Sequence, residues 1–332
     1  MTPASHVDGV LVQWGERLFY PGNRVVRPRS APPLSASLAQ RASAIRQRIR
    51  ATVVRRAPQV MVKVTGGGRG MSAIAAHFRY IAKNGRLPFE DDRGVTREGR
   101  EALCDLVDQW RHGGSYIEDI SQRREAFNIM LSMPGGTDPL TVQRAAREFA
   151  RAELADHRYV MVLHDHQANP HVHISVRAES RDGRRLNPRK ADLQRWRETF
   201  AERLRGWGVD AEATRQRTRG VQRHYEPLWR VKAAADGRVK SPMRSMKSGE
   251  GVERDRVIAL EAWNRIADGL GRSESVEDRA LAEHVARFVG HNFAIGLRRP
   301  LEQRPQLDRA VEPPSLAAKR VPKGRDDIGP TR

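Results

Sequence analysis

Cysteine is nearly absent from the 332-residue chain. Cys104 stands alone, which excludes an intramolecular disulfide, a cysteine-ligated metal cluster and dithiol redox chemistry. Its neighbours Leu103, Leu106 and Val107 mark a helix face, and Cys104 is expected as a buried thiol there. Long apolar runs are missing too, since no stretch approaches the roughly 20 residues of a membrane span. The N-terminus lacks a basic patch followed by an apolar stretch, so neither membrane insertion nor secretion is indicated and a cytoplasmic protein is expected. Acids are scarce relative to bases: 40 Asp and Glu stand against 60 Lys and Arg, leaving a formal charge of +20. That excess favours a polyanionic partner, nucleic acid first, over an acidic small molecule. A ribosomal protein or a protein of anionic membrane surfaces would share this balance, so charge alone names no function.

Residues 1–57 hold ten arginines and only two acids, Asp8 and Glu16. Pro28, Pro32 and Pro33 break this segment and a helical pattern runs over 38–49, so it reads as a basic N-terminal extension. From 58 the texture changes. Val60, Val62 and Val64 alternate as in a half-buried strand, and Gly66, Gly67, Gly68 and Gly70 follow as a turn that lacks the pattern of a nucleotide-binding loop. Residues 71–83 place Ile74, Phe78 and Ile81 on one helical stripe that stops at Asn84-Gly85. Tyr80 lies off that stripe, on the polar side with His77, Lys83 and Asn84. A strand over 127–133 ends in Pro134-Gly135-Gly136 and a helix runs over 141–154. Strands over 159–164 and 171–176 are joined by a polar loop closed by Asn169-Pro170. Leu193, Trp196, Phe200 and Leu204 mark a further helix that ends at Gly206 and Gly208, with Trp196 and Trp207 read as core residues. This alternation predicts an α+β sandwich over 58–220. Beyond it, helices are expected over 254–268 and, after a capping box from Ser275 to Asp278, over 276–289, giving a helical C-terminal region at 221–300. Residues 301–332, with five prolines among many charges, have a disordered composition.

The chemistry concentrates near residue 170. Residues two apart on a strand face the same side, so His171 and His173 aim at one point. His164, across the hairpin, offers a third imidazole and leaves positions open for water and a phosphate oxygen, as a catalytic metal site requires. A His-x-His pair on a strand is also what an exposed pair or a cross-strand contact looks like; the third histidine, the polar loop and the basic chain favour the metal site. His166, in the loop, suits solvent or nucleic acid equally well. Arg184, Arg185, Arg189 and Lys190 follow the second histidine strand and suit either a DNA backbone or a solvated basic loop.

Residues 164–174, HDHQANPHVHI, resemble the His-x-Asp-x-x-x-Pro-His-x-His signature of the MobA/VirD-type relaxases of the HUH endonuclease superfamily. The likeness continues upstream through VKVTGGG, FRYIAKNGRL and NIMLSMPGGTD and downstream through RLNPRKADLQRWRETFAERLRGWGV, so it covers roughly residues 58–220. It implies a central antiparallel sheet that carries the histidine cluster, flanked by helices, with a catalytic tyrosine on a nearby helix. The matching tyrosine is Tyr80. Tyr159 begins a core strand, Tyr116 follows Gly113-Gly114 in a loop, and Tyr20 and Tyr225 fall outside the matching segment. Rolling-circle replication initiators of the superfamily carry the nucleophile after the histidine motif, whereas Tyr80 precedes it.

The resemblance implies a metal-dependent, site-specific nickase that cuts one DNA strand at a plasmid or mobile-element transfer origin and stays attached through a 5′-phosphotyrosyl linkage. It implies Mn²⁺ or Mg²⁺ held by His164, His171 and His173. It implies single-stranded DNA, accessory relaxosome proteins and the coupling protein of a type IV secretion system as partners. A catalytically silent DNA-binding protein and an HUH nuclease or replication initiator are the alternatives. One position departs from the pattern: the acid two residues after the first histidine is His166 here. Either Asp165 takes over the orienting role through a loop distortion or that role is weakened, with His166 and Asn169 the other candidates beside the imidazoles. Ser132 matches a serine of the family's middle strand, where a bond to phosphate or sugar, or one within the sheet, would suit it.

Overall fold

The structure is a computed structural model and describes residues 4–20, 33, 35–220 and 250–294. The tail at 301–332 and the 221–249 and 295–300 parts of the expected helical region lie outside the described residues. The described helices are α1 (Ala4–Phe19), α2 (Leu38–Ile49), α3 (Met71–Ile81), α4 (Arg100–His112), α5 (Pro139–Glu153), α6 (Lys190–Gly206), α7 (Glu250–Gly271) and α8 (Val276–Ala294). The strands are β1 (Met61–Gly66), β2 (Phe89–Asp91), β3 (Thr96–Arg97), β4 (Ala126–Ser132), β5 (His157–His164) and β6 (His171–Ser180). They form one sheet in the order β1-β4-β6-β5-β2-β3, antiparallel at every pairing. The fold is α+β, with helices against both faces of the sheet.

Strand alternation sorts the side chains into two layers. Phe127, Ile129 and Leu131 of β4 and Val172, Ile174 and Val176 of β6 pack with Phe149 of α5 and Trp196 and Phe200 of α6. Val160 and Val162 of β5 point the other way, into Ile74, Phe78 and Ile81 of α3 and Leu106 and Trp110 of α4. Each such large side chain stabilises by about 1.5–3 kcal/mol when fully buried. The opposite parity of β6 presents His171, His173, Ser175 and Arg177 to the α3 and α4 side, and all four are buried. Arg177 is held there by the carbonyls of Trp110 and Ser115. Local signals fix the flanking helix α5: Asp138 accepts from the Thr141 amide at 2.8 Å and Pro139 fills the first turn.

The end of α3 positions much of the site. Lys83, Asn84 and Gly85 all take positive φ, at 48°, 58° and 85°, which reverses the chain within one turn. A Cβ at Gly85 would lie 2.5 Å from the Gly99 carbonyl carbon. Gly85→Ala is therefore expected to cost about 1–3 kcal/mol, read as a lower urea midpoint with an unchanged slope. Glycine answers a similar demand at Gly67, where a Cβ would meet the Ala126 carbonyl oxygen at 2.2 Å. The glycine-rich segment is thus pressed against β4.

A second core lies apart from the sheet. Val7 and Leu11 of α1, Ile45 and Ile49 of α2, Trp263 and Ile266 of α7 and Leu281 and Val285 of α8 bury one another. Arg46 of α2 joins three of these helices by pairing with Asp8 of α1 at 2.7 Å and Asp278 of α8 at 2.8 Å. The described part of the N-terminal segment is therefore packed against the C-terminal helices.

Two core assignments are corrected. Cys104 is exposed, because the buried stripe of α4 is Leu103, Leu106 and Trp110, and a residue directly after Leu103 points about 100° away from it. Trp207 is 45% exposed. It lies just past the end of α6, with its indole N–H donating to Glu148 at 3.0 Å and the Arg144 guanidinium over its ring. Trp196 is buried as expected. β6 also runs four residues beyond the expected strand, to Ser180.

Candidate active site

His164 ends β5, His171 begins β6, and the two are register partners across the hairpin. His173 lies opposite Val162 on β5 and Met130 on β4. The three ring centroids are 4.6–5.1 Å apart, and one ligand nitrogen from each lies within 4.8 Å of the others. Nε2–H of His164 donates to the Ile81 carbonyl at 2.7 Å. Nδ1–H of His171 donates to the Asn169 carbonyl at 2.9 Å. A carbonyl only accepts, so each bond fixes a tautomer and leaves the other ring nitrogen with a free lone pair.

Burial disfavours the charged form of His164 and His173. It holds His164 below its ordinary value and pushes His173 down to about 3, with His164, His171 and His77 adding to the effect. Nδ1 of His173 is buried without a hydrogen-bond partner. Three imidazoles converging from two strands, one with an unmatched buried nitrogen, are a donor set that fits a divalent cation.

Tyr80 precedes the residue that anchors His164. Phe78 and Ile81 hold α3 to the sheet, and helical geometry turns Tyr80 outward, where it is 70% exposed. Its ring centroid lies 6.5 Å from that of His173 and 6.3 Å from that of His77. His77 is in turn 6.4 Å from His173, its Nε2 buried and unpaired, and burial pushes its pKa down to about 4. One turn of helix before Tyr80, His77 is a member of the site that the sequence signals only by its i, i+3 spacing.

These depressed histidines set a pH dependence. In the folded chain His77 and His173 stay neutral to about pH 4 and 3, while unfolded histidine protonates near 6.5. The unfolded state therefore binds more protons between those limits, and stability is full above pH 6.5 and declines as pH falls toward 4. Each group contributes at most about 1.4 kcal/mol per pH unit, less for the partly open His77. Chelator-treated protein is expected to lose melting temperature from pH 7 to 4.5, with a shallower loss in His77→Gln.

The remaining expected residues divide. Asn169 belongs to the site: its carbonyl orients His171, and its Oδ1 accepts from the Gly135 amide at 2.9 Å, tying the histidine loop to the turn after β4. His166 is exposed, with its ring 5.2 Å from that of His164, and Asp165 is exposed in the same loop. The acceptors that orient His164 and His171 are main-chain carbonyls, so these two rings need no carboxylate at position 166. Ser132 is buried opposite His171, and its hydroxyl donates to the Pro170 carbonyl at 3.3 Å. Arg184 and Arg185 sit at the other end of β6 from His171, about 30 Å along the strand. There Arg184 pairs with Asp182 at 2.5 Å and Arg185 with Glu179 at 3.3 Å. Arg189 and Lys190 open α6 and are exposed.

Residues 98–209 match the family model described as relaxase, MobA/VirD2-like, nuclease domain. This part of the chain is thus a relaxase nuclease domain of the MobA/VirD2 type, a class of DNA-binding nucleases and strand transferases. The match contains all three histidines, and Tyr80 lies upstream of it. No curated protein matches the chain. No helix among the described residues is long and apolar enough to cross a membrane.

Proposed function

We propose that the chain is a DNA relaxase that nicks one strand at a plasmid or mobile-element transfer origin, with Tyr80 as the nucleophile. The observation that carries this reading is the bond from His164 to the Ile81 carbonyl, which ties the histidine cluster to the helical turn that bears Tyr80. In the reaction, the Tyr80 oxygen bonds to phosphorus and the bond from phosphorus to the 3′ oxygen breaks. The phenol gives up its proton and the departing 3′ oxygen takes one up. One phosphodiester thereby becomes a 5′-phosphotyrosyl ester and a 3′-hydroxyl, and reversal rejoins the strand.

A phenol with pKa about 10 is only about one thousandth ionised at neutral pH, so attack needs help from its surroundings. A divalent cation, Mn²⁺ or Mg²⁺, held by His164, His171 and His173 would supply positive charge to the non-bridging phosphate oxygens. The chain's own contribution is positional. The Ile81 and Asn169 carbonyls fix two rings, His77 fills the space beside Tyr80 and His173, and the exposed phenol leaves room for a strand to approach. Accessory relaxosome proteins and a type IV coupling protein are the partners this cytoplasmic role requires.

The test is incubation with labelled single-stranded DNA spanning the transfer origin and Mn²⁺ or Mg²⁺, followed by a denaturing gel. A protein-linked band that disappears with chelator is expected. Binding with no covalent band under either metal would favour a silent DNA-binding protein.

A further inference from the structure

We infer that Arg79, Lys83 and Arg86 form a track for the sugar-phosphate backbone of single-stranded DNA on the flank of the scissile phosphate. This rests on the reading of Tyr80 as nucleophile. A depression of about 440 Å³ beside the phenol is lined by Ala76, Arg79, Tyr80, Lys83, Asn84 and Arg86. All six are exposed and no carboxylate lines it. None of the three cations makes an ion pair or side-chain hydrogen bond among the described residues, unlike Arg184 and Arg185 at the far end of β6.

The backbone builds this arrangement. The reversal through Lys83, Asn84 and Gly85 is closed by the Asn84 amide donating to the Arg79 carbonyl at 2.8 Å and the Leu87 amide donating to the Ala82 carbonyl at 3.1 Å. The chain therefore folds back at the helix end and returns Arg86 to the rim that Arg79 occupies. Tyr80 borders the depression on one side and lies near His173 on the other. A strand whose scissile phosphate lies between Tyr80 and the histidines has its neighbouring phosphates beside these cations. Three like charges around one open depression create a positive potential that a phosphodiester chain relieves.

Backbone contacts of this kind are independent of base sequence, so the origin sequence is not needed to test them. The probe is a fluorescein-labelled oligothymidylate, titrated with the full chain by anisotropy in chelator over a range of NaCl concentrations. Each lost phosphate contact lowers the slope of log affinity against log salt by about 0.7. Arg79→Gln, Lys83→Gln and Arg86→Gln are each expected to bind more weakly with that change, and the triple variant to lose about 2 from the slope. Lys83→Arg should keep the wild-type slope, as should Arg184→Gln. Thermal unfolding of each variant verifies the fold. A correctly folded triple variant with the wild-type slope overturns the track, while a Tyr80 adduct formed by the wild type would leave the relaxase reading standing. If the wild type forms no adduct and the triple variant still loses its slope, the track holds as a DNA surface and the relaxase reading falls.

Discussion

Mn²⁺ is expected to raise the melting temperature of the wild-type chain, and His173→Ala is expected to abolish that rise. Ligand binding to the native state alone stabilises by RT ln(1 + [L]/Kd), about 2.7 kcal/mol at one hundred times Kd. For a folded unit of this size that corresponds to roughly 5–10 °C. The His173 side chain is buried beside the other two rings, so its removal takes away one of three donors and opens the cluster. Because the truncation itself destabilises, the informative quantity is the difference between Mn²⁺ and chelator for each variant, read by differential scanning fluorimetry. An undiminished metal response in His173→Ala would place the ion elsewhere. Strand cleavage should fall with the metal response.

The second large effect belongs to Tyr80→Phe, which removes one exposed oxygen. Stability is expected to change by no more than about 0.5 kcal/mol. Single-stranded DNA affinity should stay within a few-fold, because the basic groups beside the ring are untouched. The covalent product, by contrast, should vanish, since no other oxygen occupies that place. The two variants therefore separate the parts of the site: one loses the cation response, and the other loses the ester while keeping it.

Much of this arrangement is legible in the sequence because short-range periodicity encodes it. Alternation places His171 and His173 together, and the hairpin brings His164 opposite His171. The apolar stripe of Ile74, Phe78 and Ile81 turns Tyr80 outward. What local pattern does not carry is long-range pairing. The Ile81 carbonyl meets His164 across 83 residues, and Arg46 meets Asp278 across 232. No window of sequence contains both partners. β2 and β3, of three and two residues, are too short to display a period, and α1 shows its apolar face only once the helices that cover it are known. Asn169 was identifiable as a loop residue, yet its main-chain carbonyl, which no side-chain pattern reports, is what orients His171. The arginines at 184 and 185 illustrate the converse. Their composition suits DNA, but the fold carries them to the far end of β6 and pairs them with acids.

The central claim is that Tyr80 becomes covalently joined to DNA, and peptide mass spectrometry tests it most directly. The wild-type chain, reacted with origin-spanning single-stranded DNA and Mn²⁺, would be digested with trypsin and nuclease and its peptides sequenced by fragmentation. A nucleotide attached through a 5′-phosphate to the Tyr80 side chain is the expected result. Attachment to a different residue, such as Tyr116 or a histidine of the cluster, would contradict it.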